Sequence, residues 1–123
     1  TAASILERAR AEVAGMEGVD VDWAEPPREA TATSSTTSSS YALLAALSRS
    51  VLPDVPVAPG LVLAGTDSRH YSEVAENVYR FQPMMFSADD LACIHGTNEH
   101  ISLENIERTV RFYIGLMEAV AMQ

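Results

Sequence analysis

The sequence of 123 residues has little positive charge, a single cysteine and no long apolar run. Eight basic residues stand against 17 acidic ones, which gives a formal net charge of −9 at pH 7. Because a phosphate backbone attracts a positive surface, this balance argues against a nucleic-acid partner. The single cysteine, Cys93, excludes an internal disulfide, and nothing in the sequence indicates an oxidising compartment.

No stretch of apolar residues is long enough to cross a bilayer. The N-terminal TAASILERARAEV lacks the basic region and apolar core of a signal peptide. The sequence also begins without Met and directly with a helix pattern, as expected of a piece cut from a longer protein. We therefore predict a cytoplasmic protein that has neither a membrane nor a nucleic acid as its partner.

What the sequence does contain is the composition of a folded soluble domain, with 47% hydrophobic and 20% charged residues. A first helix is predicted near Ser4, because Glu7 follows it at the spacing of a capping box. YALLAALSRSVL predicts a second helix that ends at Pro53, while SEVAENV and SADDLA predict short helical segments. The last and longest helix is predicted from the cap Ser102 to about Met122.

Three segments have the patterns of β-strands. VDVDW (residues 19–23) alternates apolar and acidic residues, which predicts a strand with one solvated face. The apolar run at residues 61–64 and VYRF at residues 78–81 are typical of strands covered on both faces. The Ser/Thr-rich residues 29–40, which are almost free of charge, predict a mobile linker or boundary loop between two unequal parts. Together these patterns predict an α/β protein.

The long C-terminal helix is predicted to be amphipathic. Glu104 precedes Arg108, and Glu107 precedes Arg111, by four residues in the order that favours ion pairs on an exposed face. Apolar residues at helical spacing predict its buried side. They are Ile106, Val110, Tyr113, Ile114, Met117 and Val120.

A first candidate site is AGTDSRHY, which directly follows the predicted strand at residues 61–64. Ligands of parallel α/β sheets bind at the carboxyl ends of strands, which is where this segment would lie. Gly65 would allow close approach of the backbone to a ligand, and Arg69 offers a planar set of donors to a carboxylate or phosphate. Alternatively, Asp67 and Arg69 pair within a turn and only stabilise the loop.

The second candidate is HGTNEH, which contains His95 and His100. These two histidines are five residues apart, so they do not share one helical face as the H-E-x-x-H pair does. A zinc site needs three or four converging ligands, and the sequence has no His-x-Asp motif, no Glu-Glu pair, no nucleophile elbow and no phosphate loop. From the residues alone, this segment is either one part of a metal site or a polar loop before a helix.

Taken in order, GLVLAGTDSRHY, VYRFQPM, HGTNEHIS and the final amphipathic helix resemble the C-terminal part of M20-family metallopeptidases. The similarity is greatest to the carboxypeptidase S (Gly-X carboxypeptidase) and aminoacylase-like branch, over about residues 50–117. It implies a partial zinc-exopeptidase-type α/β catalytic domain, with a parallel or mixed sheet, at residues 37–123. Residues 1–36 would then be the end of a small α/β lid domain, which often dimerises, and the Ser/Thr-rich linker.

The resemblance also implies roles for individual residues. His95 matches the last zinc ligand of the family, and Arg69 matches the arginine that binds the terminal carboxylate of the substrate. Gly65 and Thr66 match the loop that shapes the substrate pocket. Asp67 would orient Arg69 or its loop.

For the remaining polar residues the resemblance implies less. Glu99 would have a structural role or support the metal ligands. It gives no role to His70 or His100, which we interpret as exposed polar residues.

The other family ligands lie upstream of anything in this sequence. They are the H-x-D motif, a bridging Asp, the Glu-Glu pair that includes the general base, and a further Asp or Glu. The resemblance therefore implies a fragment of a dinuclear zinc amidohydrolase or carboxypeptidase that cleaves dipeptides or N-acyl amino acids with a free carboxylate. Alone, the fragment would be inactive, and its uncovered strands and apolar surface would favour self-association or a homo-oligomer.

Two alternatives remain open at this stage. The chain could be a non-catalytic module, derived from such an enzyme, that binds carboxylates through Arg69 or mediates an interaction. It could also be an independent mononuclear metal protein that uses His70, His95 and His100 together with Cys93 or Glu99.

Overall fold

A computed structural model describes residues 1–122 and divides the chain into two compact units, Thr1–Ala32 and a second unit that starts at Thr33. Within the described residues all regular structure is helical. The elements are α1 (Ala2–Glu12), α2 (Ser39–Val51), a 3₁₀ helix (Asp67–Glu73), α3 (Ala88–Cys93) and α4 (Leu103–Ala121). None of these helices is long and apolar enough to cross a membrane.

In the first unit, α1 begins earlier than predicted. The N-cap is Thr1, whose hydroxyl accepts a hydrogen bond from the Ser4 amide at 3.3 Å, and the Ser4 side chain completes the capping box. The predicted box of Ser4 with Glu7 is therefore wrong. Ala2 and Ala3 favour helix strongly, so the helix extends to the first residue able to cap it.

The predicted strand at residues 19–23 is not regular structure. Its acidic side chains compete for the backbone, because Asp20 accepts from the next amide, that of Val21, at 3.0 Å, and Asp22 accepts from that of Trp23 at 2.8 Å. The segment is instead bound to α1, where Arg10 Nε donates to the Val21 carbonyl at 2.8 Å.

In the second unit, α2 packs against α4. Ser38 caps α2 and Ser102 caps α4, each accepting from the amide three residues later, which confirms the cap predicted at Ser102. The two helices approach closely at Gly115, where an added Cβ would lie 3.1 Å from Leu47 Cδ2. The buried residues of this unit are Ala45, Ser48, Pro83, Asn105 and Phe112.

The buried face of α4 is not the one predicted. The six apolar residues expected on it are 39% to 63% exposed, whereas Asn105 and Phe112 are buried. Asn105 pairs with the backbone of Met85 and the Phe112 ring packs against Phe81, so the segment before α3 covers this side of α4, and the six predicted residues stay exposed within residues 1–122. The two predicted ion pairs are confirmed, with an N–O distance of 2.6 Å both for Arg108 with Glu104 and for Arg111 with Glu107.

The second half of the Ser/Thr-rich stretch is bound rather than free. The Ser34 hydroxyl accepts from the Val78 amide at 2.8 Å and donates to the Val78 carbonyl at 3.0 Å. The Tyr79 hydroxyl lies 2.6 Å from the Ser38 hydroxyl and donates to the Ser35 carbonyl, also at 2.6 Å. Side-chain hydroxyls thus occupy the backbone groups that a neighbouring strand would use, and VYRF (78–81) is not a strand.

The apolar run at residues 61–64 also lacks regular structure. Leu61 is 74% and Leu63 is 96% exposed, so no neighbour in the described chain covers this segment. A single strand is not stable without partners beside it. The predicted sheet is therefore not confirmed, because residues 1–122 contain no strand that could pair with this run.

Candidate functional site

The first candidate segment, here called the Arg69 loop (residues 64–71), includes the start of the 3₁₀ helix (Asp67–Glu73), so Arg69 lies within that helix. Thr66 caps that helix, and its hydroxyl accepts from the Ser68 amide at 3.3 Å. The Ser68 hydroxyl is bonded to the Thr66 hydroxyl and to Arg80 Nε. Thr66, Ser68 and Arg80 therefore form one chain of polar contacts that fixes the start of the helix beside residue 80.

Arg69 itself is exposed. Its Nε donates to His70 Nε2 at 3.2 Å, and no ion pair joins it to Asp67 within the described chain. The predicted Asp67–Arg69 turn pair is thus not formed. The two terminal nitrogens of the guanidinium have no hydrogen-bond partner in residues 1–122, so they are available for a planar anion such as a carboxylate.

Gly65 stands on an open side of this loop. A Cβ built on it would meet nothing within 4 Å, so this chain places no steric demand on the position. The space beside Gly65 could hold a ligand or another part of the protein. Thr66 contributes its hydroxyl to the helix cap, which gives it a structural role.

The second segment, the His95 loop (residues 93–102), connects α3 to α4 through a tight turn. The Gly96 amide donates to the Cys93 carbonyl at 2.9 Å. His95 has a φ of 59° and Asn98 a φ of 62°, and both values lie in the left-handed region that non-glycine residues rarely adopt. The Gly and Asn of HGTN are only a weak signal for this turn.

The three histidines differ in how many ring nitrogens they have available. His70 Nε2 accepts from Arg69, and both nitrogens of His100 lie close to oxygen atoms. The exposed imidazole of His95 forms no hydrogen bond or ion pair with any described residue. A metal ligand must present a free nitrogen lone pair, so His95 fits this role better than the other two.

His100 connects the His95 loop to α3. Its Nδ1 lies 2.7 Å from the Asn98 carbonyl oxygen, and its Nε2 lies 3.3 Å from Asp90 Oδ1. The other oxygen of Asp90 accepts from the Ser87 amide and hydroxyl, both at 2.8 Å, which forms the capping box of α3. The Ser87 hydrogen bonds, and more weakly the His100 ring, lower the pKa of Asp90 below its ordinary value.

A complete metal site is not formed by this chain. Residues 1–122 contain no group of three or more His, Cys, Asp or Glu side chains placed to hold a metal ion. The described residues therefore do not bring together the ligand set that an independent mononuclear metal protein would need. Glu99 is exposed and forms no hydrogen bond with a described residue, so the structure shows no supporting role for it.

Sequence reasoning missed Asn105, which lies just past the His95 loop. It is 5% exposed, and its amide side chain pairs with the backbone of Met85, accepting from N–H and donating to C=O, both at 2.9 Å. Arg108 also donates to its oxygen at 2.6 Å. An Asn three residues after a helix cap gave no signal of this long-range pairing, which fixes the start of α4 to the segment before α3.

The profile of Peptidase family M20/M25/M40 matches residues 4–119. The chain is 41% identical over 78 residues to "N-fatty-acyl-amino acid synthase/hydrolase PM20D1.1" of Danio rerio, which covers 63% of this chain and 15% of that protein. It is 42% identical over 85 residues to "Probable carboxypeptidase S-like 2" of Dictyostelium discoideum, which covers 69% of this chain and 16% of that protein.

The chain thus spans only 15% and 16% of the length of these two relatives. No solved structure matches it. The resemblance inferred from the four sequence motifs is confirmed, because the family profile covers most of the sequence. The chain belongs to peptidase family M20/M25/M40.

Proposed function

We propose that this chain is the C-terminal segment of a dinuclear zinc amidohydrolase or carboxypeptidase. Its substrates would be dipeptides or N-acyl amino acids with a free carboxylate. The observation that carries the proposal is the family match over residues 4–119, and the relatives named as an N-fatty-acyl-amino acid synthase/hydrolase and a carboxypeptidase support the substrate class. Residues 1–36 would end the lid domain and residues 37–123 would belong to the catalytic domain. The division between the compact units after Ala32 supports this assignment.

His95 would supply one zinc ligand. Its imidazole is exposed and has no hydrogen-bond partner among the described residues, so no existing contact has to break when a metal binds. When bound, zinc polarises a carbonyl and makes a water molecule acidic enough to act as a nucleophile at neutral pH. Because residues 1–122 hold no further converging ligands, the other ligands and the general base would come from upstream sequence.

Arg69 would bind the carboxylate of the substrate. The two terminal nitrogens of its guanidinium are available, while its Nε is already bonded to His70 at 3.2 Å, which limits how the side chain can rotate. A planar pair of donors matches the two oxygens of a carboxylate, and this explains why an arginine suits the position. The open space beside Gly65 would leave room for the substrate. Arg69 would therefore orient the substrate without taking part in proton transfer.

Native mass spectrometry of this chain, with and without added zinc, tests the proposal. We expect no stoichiometric zinc uptake, because one free histidine cannot hold the ion alone. Tight binding of one zinc per chain would contradict the proposal, since the segment would then contain a full ligand set.

The same measurement on the polypeptide extended by its upstream sequence provides the control. We expect two zinc ions per chain there, together with an H-x-D motif and a Glu-Glu pair in the added sequence. An extended polypeptide that lacks these motifs and binds no zinc would favour the non-catalytic carboxylate-binding module instead.

A further inference from the structure

The left-handed turn that carries His95 needs support from its surroundings. His95 and Asn98 are the two non-glycine residues with positive φ in the described chain, at 59° and 62°. Such conformations are unfavourable for ordinary residues and persist where neighbouring contacts determine them. The turn lies in an exposed loop, so the support has to come from specific polar contacts and not from burial.

The Gly96 amide closes the turn on the Cys93 carbonyl at 2.9 Å, and the side chain that contacts the turn is that of His100. Its Nδ1 lies 2.7 Å from the carbonyl oxygen of Asn98, which is one of the two left-handed residues. Its Nε2 lies 3.3 Å from Asp90 Oδ1 in the first turn of α3. The ring therefore spans the base of the His95 loop, from the turn itself to the helix that precedes it.

The far end of this connection is itself fixed. Asp90 Oδ2 accepts both the amide and the hydroxyl of Ser87 at 2.8 Å, so the carboxylate cannot rotate freely. The carbonyl and the carboxylate are both acceptors, and each of them lies beside a different nitrogen of the His100 ring. Polar contacts thus connect α3, through Asp90, to the His100 ring and from the ring to the Asn98 carbonyl.

We propose that His100 is a positioning residue for the metal ligand His95, because it holds the left-handed turn through Asn98 and Asp90. This inference rests on the proposed function of His95. The His100 side chain is 61% exposed and that of Asp90 is 31% exposed, and exposed ion pairs contribute little to global stability. The effect of His100 should therefore appear in the geometry of the turn and in metal affinity, and not in the melting temperature.

The test uses three variants with different remaining donors. His100→Ala removes both contacts, His100→Asn keeps a donor near the position of Nδ1, and His100→Gln keeps one near the position of Nε2. His70→Ala serves as a matched control, since His70 is another exposed histidine with a single ring contact. The readouts are the zinc dissociation constant of the extended polypeptide, by chelator competition, and the backbone chemical shifts of His95 and Asn98 in this chain.

We expect His100→Ala to weaken zinc binding about 10- to 100-fold, the usual effect of losing a group that orients a ligand. The shifts of His95 and Asn98 should move towards random-coil values while the melting temperature stays unchanged. His100→Asn should stay closer to the wild type than His100→Gln, both in zinc affinity and in the backbone shifts of His95 and Asn98. The reason is that only the Asn side chain can still donate to the Asn98 carbonyl. His70→Ala should change neither signal.

Two results would overturn the inference. One is unchanged zinc affinity and unchanged shifts in His100→Ala, and the other is an equal loss in all three His100 variants together with a lower melting temperature. His95→Ala, measured in parallel, separates this inference from the proposed function. If His95→Ala binds zinc normally, the ligand assignment fails, whereas the shifts of this chain still report whether His100 holds the turn.

Discussion

The Arg69 loop and the His95 loop are supported in different ways. The His95 loop lies between two capped α-helices, and His100 connects its turn to the first of them. The Arg69 loop is fixed at Thr66, by contacts of that side chain and of Ser68, and Arg69 itself lies in the short 3₁₀ helix that Thr66 caps. The His95 loop is thus held at both of its ends. The Arg69 loop is held mainly at its N-terminal end, by Thr66.

This difference suits the two proposed tasks. A metal ligand has to lie within a few tenths of an ångström of its place, so its backbone must be well determined before the metal arrives. An arginine reaches its partner through a long side chain and can adjust to different carboxylates. The comparison predicts that changes near His95 affect metal binding and that changes at Arg69 affect substrate binding.

The largest effect is expected from Arg69→Ala in the extended polypeptide. Loss of the charged hydrogen bonds to the substrate carboxylate should raise KM about 10- to 100-fold and leave the zinc content unchanged. Arg69→Lys keeps the charge without the planar pair of donors, so its KM should lie between that of the wild type and that of Arg69→Ala. Steady-state kinetics with metal analysis gives the answer, and an unchanged KM would remove Arg69 from the substrate site.

A smaller effect on a different property is expected from Asn105→Ala. The variant leaves the Met85 N–H and C=O without partners, which should lower the free energy of unfolding by about 2–4 kcal/mol. Amide exchange should increase in the His95 loop more than in the 3₁₀ helix, because Asn105 fixes the start of α4. Urea unfolding and hydrogen exchange measure the two effects.

Thr109→Val is the matched control for that experiment. Its hydroxyl oxygen is also buried but has no hydrogen-bond partner among the described residues, so its removal should not lower stability. Equal losses in Asn105→Ala and Thr109→Val would show that the bonds to Met85 do not stabilise the fold.

The smallest effect concerns acid pH and Asp90. Its pKa is lowered below the ordinary 3.8 mainly by the Ser87 amide and hydroxyl, with a smaller part from His100. A carboxyl with a lowered folded-state pKa stabilises the fold above pH 3.8, and this contribution is lost as the pH falls through the folded-state value. Asp90→Asn should therefore lose less stability than the wild type below pH 3.8, as measured by urea unfolding across pH. Parallel curves for both proteins would contradict the prediction.

The sequence predicted the local features of α4 better than those of α1, where the cap is Thr1 and not Ser4. The cap at Ser102 and the two Glu–Arg pairs of α4 depend on residues three or four apart, and the structure confirms them. The buried face of α4 was predicted wrongly, because hydrophobic periodicity shows which face is apolar but not which neighbour will cover it. A strand forms only when a neighbouring strand pairs with it. Nothing in residues 78–81 indicates that the Ser34 hydroxyl will instead bond the N–H and C=O of Val78.

The candidate site was predictable only in part. The motifs identified His95 and Arg69, because residue type and order carry the family resemblance. The motifs did not reveal that the His95 imidazole forms no hydrogen bond with a described residue. They also did not reveal that His100 Nε2 lies 3.3 Å from Asp90 Oδ1, because both arrangements depend on the turn at residues 95–98. A left-handed conformation is uncommon for any non-glycine residue, so the residue type of His95 alone does not predict it.

The exposed apolar side of α4 has a further consequence for the stability of the chain. Met117 is 63% exposed and Val120 is 57% exposed, and apolar side chains left in water do not contribute to the free energy of folding. A partner that covers this side of α4 would bind the folded state only, and it would therefore raise the stability of the helix that follows the His95 loop.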